Sequence, residues 1–209
     1  MKKPLPEGSM EGPSGLKAFA RKLVSQYSLS ELAVRFSVVS FAADATTRVG
    51  WSDDTAAINA GIDAMSADGK TSISDGFEAA RQLFNDGRKD AAKIMLLLSD
   101  GEQTVDAAPG KTTSQTATEA AARVKDLPAT VFAWGFGNVS LNTLQQIATE
   151  PSNVILANSI FELTTYLENL EAAVCNESPP PAPPSLPPPS PSPTPPPPTP
   201  PPPTPPPPT

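Results

Sequence analysis

Helical spacing of apolar residues occurs in six segments of the chain. Apolar residues recur three or four positions apart from Leu16 to Val24, which predicts an amphipathic helix over about residues 14–27. The same spacing predicts three helices that begin after Ser52, Ser74 and Ser159. It predicts two more over residues 114–125 and 140–149. We interpret the three serines as N-caps, and Ser159 with Glu162 has the spacing of a capping box that opens one final helix.

Short runs rich in β-branched and aromatic residues alternate with these helices. They predict strands over residues 32–41, 46–51, 92–98, 129–136 and 153–157. The runs 92–98 and 129–136 are almost continuously apolar, which is typical of strands covered on both faces. The alternation predicts an α/β fold with a doubly wound, mostly parallel sheet and helices on both faces. Ligands of such sheets bind outside the carboxyl ends of the strands.

The end of the chain differs sharply from the rest in composition. Residues 178–209 hold 22 of the 28 prolines and no charged residue. Such a segment does not bury a core, and proline favours an extended polyproline II conformation, so we expect a disordered stalk. The sequence therefore divides into a folded domain at residues 1–177 and a proline-rich, low-complexity stalk at residues 178–209.

Charge and residue usage exclude several classes of function. The 15 basic and 22 acidic residues give a net charge of −7, which argues against nucleic acid or an anionic membrane as a partner. The chain has no histidine, so Ser-His-Asp chemistry is excluded, and no residue pattern indicates a nucleophile; we interpret the protein as a non-enzyme. The longest apolar run, Ile94–Leu98, is too short to span a bilayer, and no apolar run that would indicate a signal peptide follows Met1–Pro6.

Hard oxygen ligands occur in three loops that the pattern places near helix starts or strand ends. They are Ser9, Thr71 and Asp100. Hydroxyl and carboxylate oxygens suit Mg²⁺, Mn²⁺ or Ca²⁺ rather than zinc. Each residue also has a purely structural interpretation, since serine and threonine commonly cap helices and Asp-Gly is an ordinary turn pair.

Several segments resemble the von Willebrand factor type A domain. They are Gly8–Met10 with the helix that follows, Gly69–Thr71, Leu96–Gly101 and Val131–Gly137. The resemblance covers about residues 7–175 and implies a metal-ion-dependent adhesion site on the upper face of the sheet. In that family a D-x-S-x-S motif, a threonine and an aspartate hold the metal, and the ligand's own carboxylate completes its shell. Ser9 matches the second serine, Thr71 the threonine and Asp100 the aspartate.

Two positions of that motif depart from the family pattern. Leu5 stands where the resemblance implies the aspartate, and Glu7 stands where it implies the first serine, although a Glu7 oxygen is a candidate substitute. We therefore expect Mg²⁺ to bind weakly or not at all. The family also places an apolar central strand before the motif, whereas Met1–Pro6 contains two prolines and two lysines. We expect that this first strand is missing, and that Cys175 would form a disulfide with a partner absent from this sequence.

The resemblance implies an extracellular adhesion or matrix-binding module that binds a protein or a glycan. The stalk is similar to hydroxyproline-rich cell-wall glycoproteins, and Asn138 and Asn176 begin glycosylation sequons. One alternative is a cytoplasmic scaffold whose stalk recruits SH3, WW or profilin modules, with Cys175 as a free thiol. Another is a structural domain whose metal site has decayed.

Overall fold

The computed structural model describes residues 10–66 and 69–176. Its α-helices are α1 (Leu16–Ser25), α2 (Thr55–Asp63), α3 (Ile73–Asp86), α4 (Thr113–Lys125), α5 (Leu141–Ile147), α6 (Ile160–Leu163) and α7 (Leu167–Asn176). Its strands are β1 (Phe36–Phe41), β2 (Ala45–Ser52), β3 (Lys93–Gly101), β4 (Ala129–Asn138) and β5 (Val154–Ala157). Short 3₁₀ turns cover Pro151–Asn153 and Thr164–Tyr166.

Five strands form two sheets in the described part of the chain. β3, β4 and β5 form a parallel sheet in that order, and β1 and β2 form a separate antiparallel pair. The predicted α/β class with a parallel sheet between helices is confirmed. Within the described residues β1 and β2 are separate from the parallel sheet, since no strand joins β1 to β3 there. That the chain lacks its first strand remains a prediction.

Two apolar cores lie on opposite faces of the parallel sheet, and the alternation of side chains along β4 separates them. Val131 and Ala133 face a core with Phe77 of α3, Val124 of α4 and Leu144 of α5. The intervening residues of β4 face a second core, formed with α1, α6 and α7, whose buried members include Phe132, Trp134, Phe19, Leu163 and Leu167. Helices on both faces explain why the buried middle of β4, residues 131–135, has no polar side chain.

The antiparallel pair is tied to the rest of the domain at both ends of β1. Near the amino ends of β1 and β3, the Arg88 guanidinium donates to the carbonyl oxygens of Glu31 and Ala33. Near the carboxyl ends, the Ser72 N–H donates to the Ala42 carbonyl at 2.7 Å. Arg88 precedes β3 and binds the segment before β1, whereas the loop around Ser72 binds the segment after β1 and, through Thr71 and Thr104, the segment after β3. β1 and β3 therefore run in the same direction.

Helix starts were the least accurate part of the sequence prediction. Ser52 is not the N-cap of α2; Asp54 is, and its carboxylate accepts from the Ala56 N–H at 2.8 Å. Ser74 is buried inside α3, which begins after Ser72. Ser159 does cap α6, but the predicted final helix is interrupted by a 3₁₀ turn before α7. No helix within residues 10–66 and 69–176 has the length and apolar character needed to cross a bilayer.

Tyr27, just after α1, lies near α7 and carries a perturbed phenol. Burial raises the pKa of Tyr27 from 10.0 to about 12, and the neighbouring Cys175 and Glu171 add to the rise. The fold thus favours the protonated phenol, so its contribution to stability is complete below pH 10 and is lost as the pH rises towards 12.

We expect the phenolate absorbance of the native chain to show a component that titrates near pH 12. Tyr27→Phe should remove this component, because the shift belongs to that phenol, and Tyr166→Phe, the matched control, should keep it. A native chain whose late component survives Tyr27→Phe would contradict the assignment.

Candidate metal-binding site

Asp100 lies at a bulge near the carboxyl end of β3. Between Ser99 and Gly101 the register with β4 shifts, so that Asp100 stands opposite two residues of β4. A bulge of this kind interrupts the ladder and redirects the side chains beside it. The Ser99 hydroxyl donates to the Gly101 carbonyl at 2.8 Å, which holds the strand on both sides of Asp100. Asp100 is half-buried and lines a cavity of about 1250 Å³ between β1 and β3.

Thr71 lies in the loop between α2 and α3. It precedes a helix rather than following a strand, because α2 intervenes between β2 and this loop. The loop nevertheless reaches the same edge, because Thr71 and Thr104 form a reciprocal pair. The Thr71 N–H donates to Thr104 Oγ1 at 3.0 Å, and the Thr104 N–H donates to the Thr71 carbonyl at 2.8 Å. Thr71 lines the same cavity as Asp100.

Gln103, which the sequence analysis did not single out, fastens the loop after β3 to the start of α3. Its side chain is almost wholly buried, and its Oε1 accepts from the Ser74 N–H at 2.8 Å. Its Nε2 donates to Ser74 Oγ at 3.0 Å and to the Asp106 carbonyl at 3.3 Å. Gln103 therefore accepts from an N–H group in the first turn of α3 that has no partner within the helix. This contact fixes the position of the Thr71 loop relative to the loop after Asp100.

Three further carboxylates surround this edge of the molecule. Burial raises the pKa of the Asp75 carboxyl above its usual range; a hydrogen bond from Ser72 opposes the rise, and the charges of Asp106 and Asp44 add to it. Asp106 and Asp44 therefore lie close enough to Asp75 to repel its charge, and carboxylates near one another contribute a negative potential. Such a potential favours an approaching cation.

The outcome for the other predicted residues is mixed. Ser9, Glu7 and Leu5 lie outside the described residues, so their place in a metal site stays a prediction. Asn138 is exposed at the end of β4, and Cys175 is exposed on α7 and is the only cysteine in the sequence. The Asn176 side chain and residues 178–209 also lie outside the described part, so glycosylation, the disulfide and the polyproline stalk remain predictions.

Gly137 of β4 is fitted closely against Asp100. Its φ is +75°, in the left-handed region, and a Cβ there would lie 3.3 Å from the Asp100 carbonyl oxygen. A side chain at this position is therefore strained by its backbone conformation and presses on the candidate ligand.

We expect Gly137→Ala to lower the free energy of unfolding by about 1–2 kcal/mol, because alanine is strained at positive φ. Urea denaturation followed by tryptophan fluorescence measures the change. Gly50→Ala is the matched control, since Gly50 is exposed in β2 and a Cβ there meets no atom within 4 Å. Equal effects of the two substitutions would contradict the close fit.

Asp100, opposite the bulge of β4, and the fastened Thr71 loop lie together at the carboxyl end of a parallel sheet. The family comparison matches this fold to one family. Residues 9–172 match the von Willebrand factor type A domain. The chain belongs to this family. No curated protein sequence matches it.

Solved structures of other type A domains share the fold. Proximal thread matrix protein 1 from the mussel byssus is similar at a TM-score of 0.66 and 26% identity, over 77% of this chain and 40% of that one. The chain thus spans about two fifths of the mussel protein. Another structure of that protein, 28% identical at the same TM-score over 76% of this chain and 42% of that one, has a zinc-occupied adhesion-site motif.

More distant relatives show the fold alone. The manganese-loaded TRAP protein of Plasmodium vivax is 18% identical at a TM-score of 0.59, over 77% of this chain and 67% of that one. The pilus adhesin SpaC of Lactobacillus rhamnosus GG is 15% identical at a TM-score of 0.64, over 76% of this chain and 27% of that one. The similar structures thus include a matrix protein and a pilus adhesin.

The donors of this type A domain fit a hard cation but supply little charge. Asp100 offers a carboxylate and Thr71 a hydroxyl, both of which suit Mg²⁺ or Mn²⁺. Within residues 10–66 and 69–176, no group of three or more acidic, histidine or cysteine side chains is placed to hold a metal. Among the described residues, any metal held here would therefore depend on the Asp100 carboxylate and on hydroxyl oxygens, with Ser9 as the further donor that the family pattern implies and Glu7 as the candidate substitute.

Proposed function

We propose that this type A domain is an extracellular adhesion or matrix-binding module without enzymatic activity. It binds a protein or a glycan, and a divalent cation held by Asp100, Thr71 and Ser9, with Glu7 as a further donor, bridges to a carboxylate of the ligand. The observation that carries this proposal is the bulge of β4, which interrupts the β3–β4 ladder opposite Asp100, beside the fastened Thr71 loop. The adhesion and matrix proteins among its structural relatives support it.

The remaining predictions fit the same arrangement. Residues 178–209 would act as an extended stalk that holds the domain away from the surface to which it is attached. Asn138, exposed at the end of β4, would accept a glycan, as would Asn176 beside the stalk. Cys175, exposed on α7, would form a disulfide in an oxidising compartment.

The proposal is tested with Mn²⁺ alone and with immobilised polyglutamate as a carboxylate-bearing probe. Without metal, an acidic chain of net charge −7 should be repelled by polyglutamate. We expect Mn²⁺ at millimolar concentration to retain the native chain and Asp100→Asn to abolish that retention, because Asp100 is the charged donor. Asp126→Asn is the matched control, since Asp126 is exposed at the opposite edge, before β4 begins. Retention that both variants lose, or both keep, would contradict the proposed site.

A further inference from the structure

The sequon Asn138-Val139-Ser140 begins at the edge of the sheet that holds the candidate metal site. Asn138 is the last residue of β4 and is exposed, and it stands opposite Gly101 in the register of β3 and β4. Neighbouring strands lie about 4.8 Å apart, and Gly101 directly follows Asp100 in β3. The amide that a glycan would modify therefore lies one strand spacing from the backbone beside the candidate ligand.

The turn that carries this amide is held in place on both sides. Before it, Gly137 has a φ of +75° and lies so close to β3 that a Cβ at this position would be 3.3 Å from the Asp100 carbonyl oxygen. After it, Val139 is buried in the core on the α3 face of the sheet. The Ser140 N–H donates to the Glu102 carboxylate at 2.7 Å. The amide therefore cannot move away from the metal site without breaking these contacts.

A glycan on Asn138 and a macromolecular ligand at Asp100 would need the same space. Ligands of a parallel sheet approach outside the carboxyl ends of its strands, which is where Asn138 ends β4. An N-linked glycan is bulky, and the few bonds of the asparagine side chain keep its first sugar near the backbone. A metal ion is small enough to reach Asp100 beside the glycan, whereas a protein or a polymer is not.

We propose that glycosylation of Asn138 and ligand binding at Asp100 exclude one another, so that the sequon is an off-switch for the adhesion site. This inference rests on the proposed function, because it concerns the regulation of the same metal site. The glycan blocks the macromolecular ligand and spares the cation. Chains with a modified Asn138 hold the metal without binding the ligand, and chains with an unmodified Asn138 bind both.

The sequon can be removed without disturbing the helix that follows it. Ser140 is the N-cap of α5, but its side chain makes no capping hydrogen bond, and its contact with Glu102 uses the backbone N–H. Ser140→Ala therefore removes the sequon and preserves Asn138, whereas Ser140→Thr, the matched control, keeps the sequon. We expect both variants to keep the melting temperature of the native chain.

The test compares full-length chains secreted from a yeast host, with the modification of Asn138 measured by mass spectrometry. We expect the glycosylated native and Ser140→Thr chains to bind immobilised polyglutamate in Mn²⁺ at least about tenfold more weakly than the unmodified Ser140→Ala chain. Calorimetry should give all three chains the same affinity for Mn²⁺ alone. Asn176 keeps its sequon in every chain, so a glycan there does not affect the comparison.

Trimming of the glycan gives a second test on the native sequence. An endoglycosidase that leaves the first sugar removes most of the glycan's bulk without converting Asn138 to aspartate, so no charge is added beside Asp100. We expect the trimmed native chain to regain retention on polyglutamate in Mn²⁺. The Ser140→Ala chain, treated in the same way, should be unchanged, because it has no glycan at this position.

Four results would overturn the proposal. An Asn138 that stays unmodified in the secreted native chain would show that the sequon is not a switch. Equal retention of glycosylated and unmodified chains would show that the glycan does not cover the site, and would leave the proposed function intact. A weaker Mn²⁺ affinity of the glycosylated chain would mean that the modification damages the metal site instead of covering it. Failure of the unmodified Ser140→Ala chain to be retained in Mn²⁺ would overturn the proposed function and, with it, this inference.

Discussion

A variant with Leu5→Asp and Glu7→Ser is expected to bind Mg²⁺ more tightly than the native chain by about one to two orders of magnitude, because the first substitution places a carboxylate, and the second a hydroxyl, where the family motif has its metal ligands. The native chain is expected to bind Mg²⁺ in the millimolar range. Of the positions at which it matches the family motif, only Asp100 carries a carboxylate. Isothermal calorimetry of both proteins measures the difference. An apolar strand added before residue 5 should increase the gain, because it would fix the position of the new aspartate.

The control for the position of the new carboxylate is Leu32→Asp. Leu32 is 91% exposed and precedes β1, at the end of the strands opposite to Asp100. This variant acquires the same extra carboxylate away from the site, so its Mg²⁺ affinity should stay that of the native chain. Tight binding in the double variant that survives Asp100→Ala would show that the metal lies elsewhere, and no gain at all would show that these positions do not form a site of the type A kind.

Phe77→Ala is expected to cost about 3–5 kcal/mol of the free energy of unfolding. Phe77 lies on α3 with no exposed surface and belongs to the core that also contains buried residues of α4 and β4. Its loss leaves a cavity that close-packed neighbours refill only in part. A loss of this size is a large fraction of the 5–15 kcal/mol that usually stabilises a domain. Urea denaturation followed by tryptophan fluorescence gives the value.

Phe161→Ala is the matched control for Phe77→Ala. The Phe161 side chain is 66% exposed on α6, so its truncation removes little buried surface. We expect its effect to stay within about 0.5 kcal/mol, as is usual for surface substitutions. Similar losses from the two phenylalanines would mean that the core on the α3 face is not packed as described.

The strands of the parallel sheet could be predicted because their signal is local. The apolar runs 92–98 and 129–136 correspond to β3 and β4, which extend a few residues further at their carboxyl ends. Those extra residues include Asp100 and Gly137, whose placement depends on the register between two strands. Periodicity in one segment contains no information about a bulge, since a bulge is a property of a strand pair.

The candidate site shows the same division between local and non-local information. Thr71 and Asp100 were selected by their residue type and by the family resemblance, and the structure places both beside one cavity. Gln103 was missed, because a glutamine in a loop has no distinctive pattern and its importance depends on its contacts with Ser74, 29 positions away. The true N-caps were missed for a related reason, since several polar residues near each helix start were equally suitable.

The bulge also links the evolution of three positions in β3 and β4. β4 holds one residue more than β3 opposite Asp100, and the strain of that extra residue is relieved by the glycine at position 137. Deletion of one residue from β4 would restore an even ladder and return the aspartate to a regular strand position, and replacement of Gly137 would disturb the aspartate's backbone. The inserted residue, the glycine and the aspartate should therefore be gained and lost as one unit among descendants of this domain.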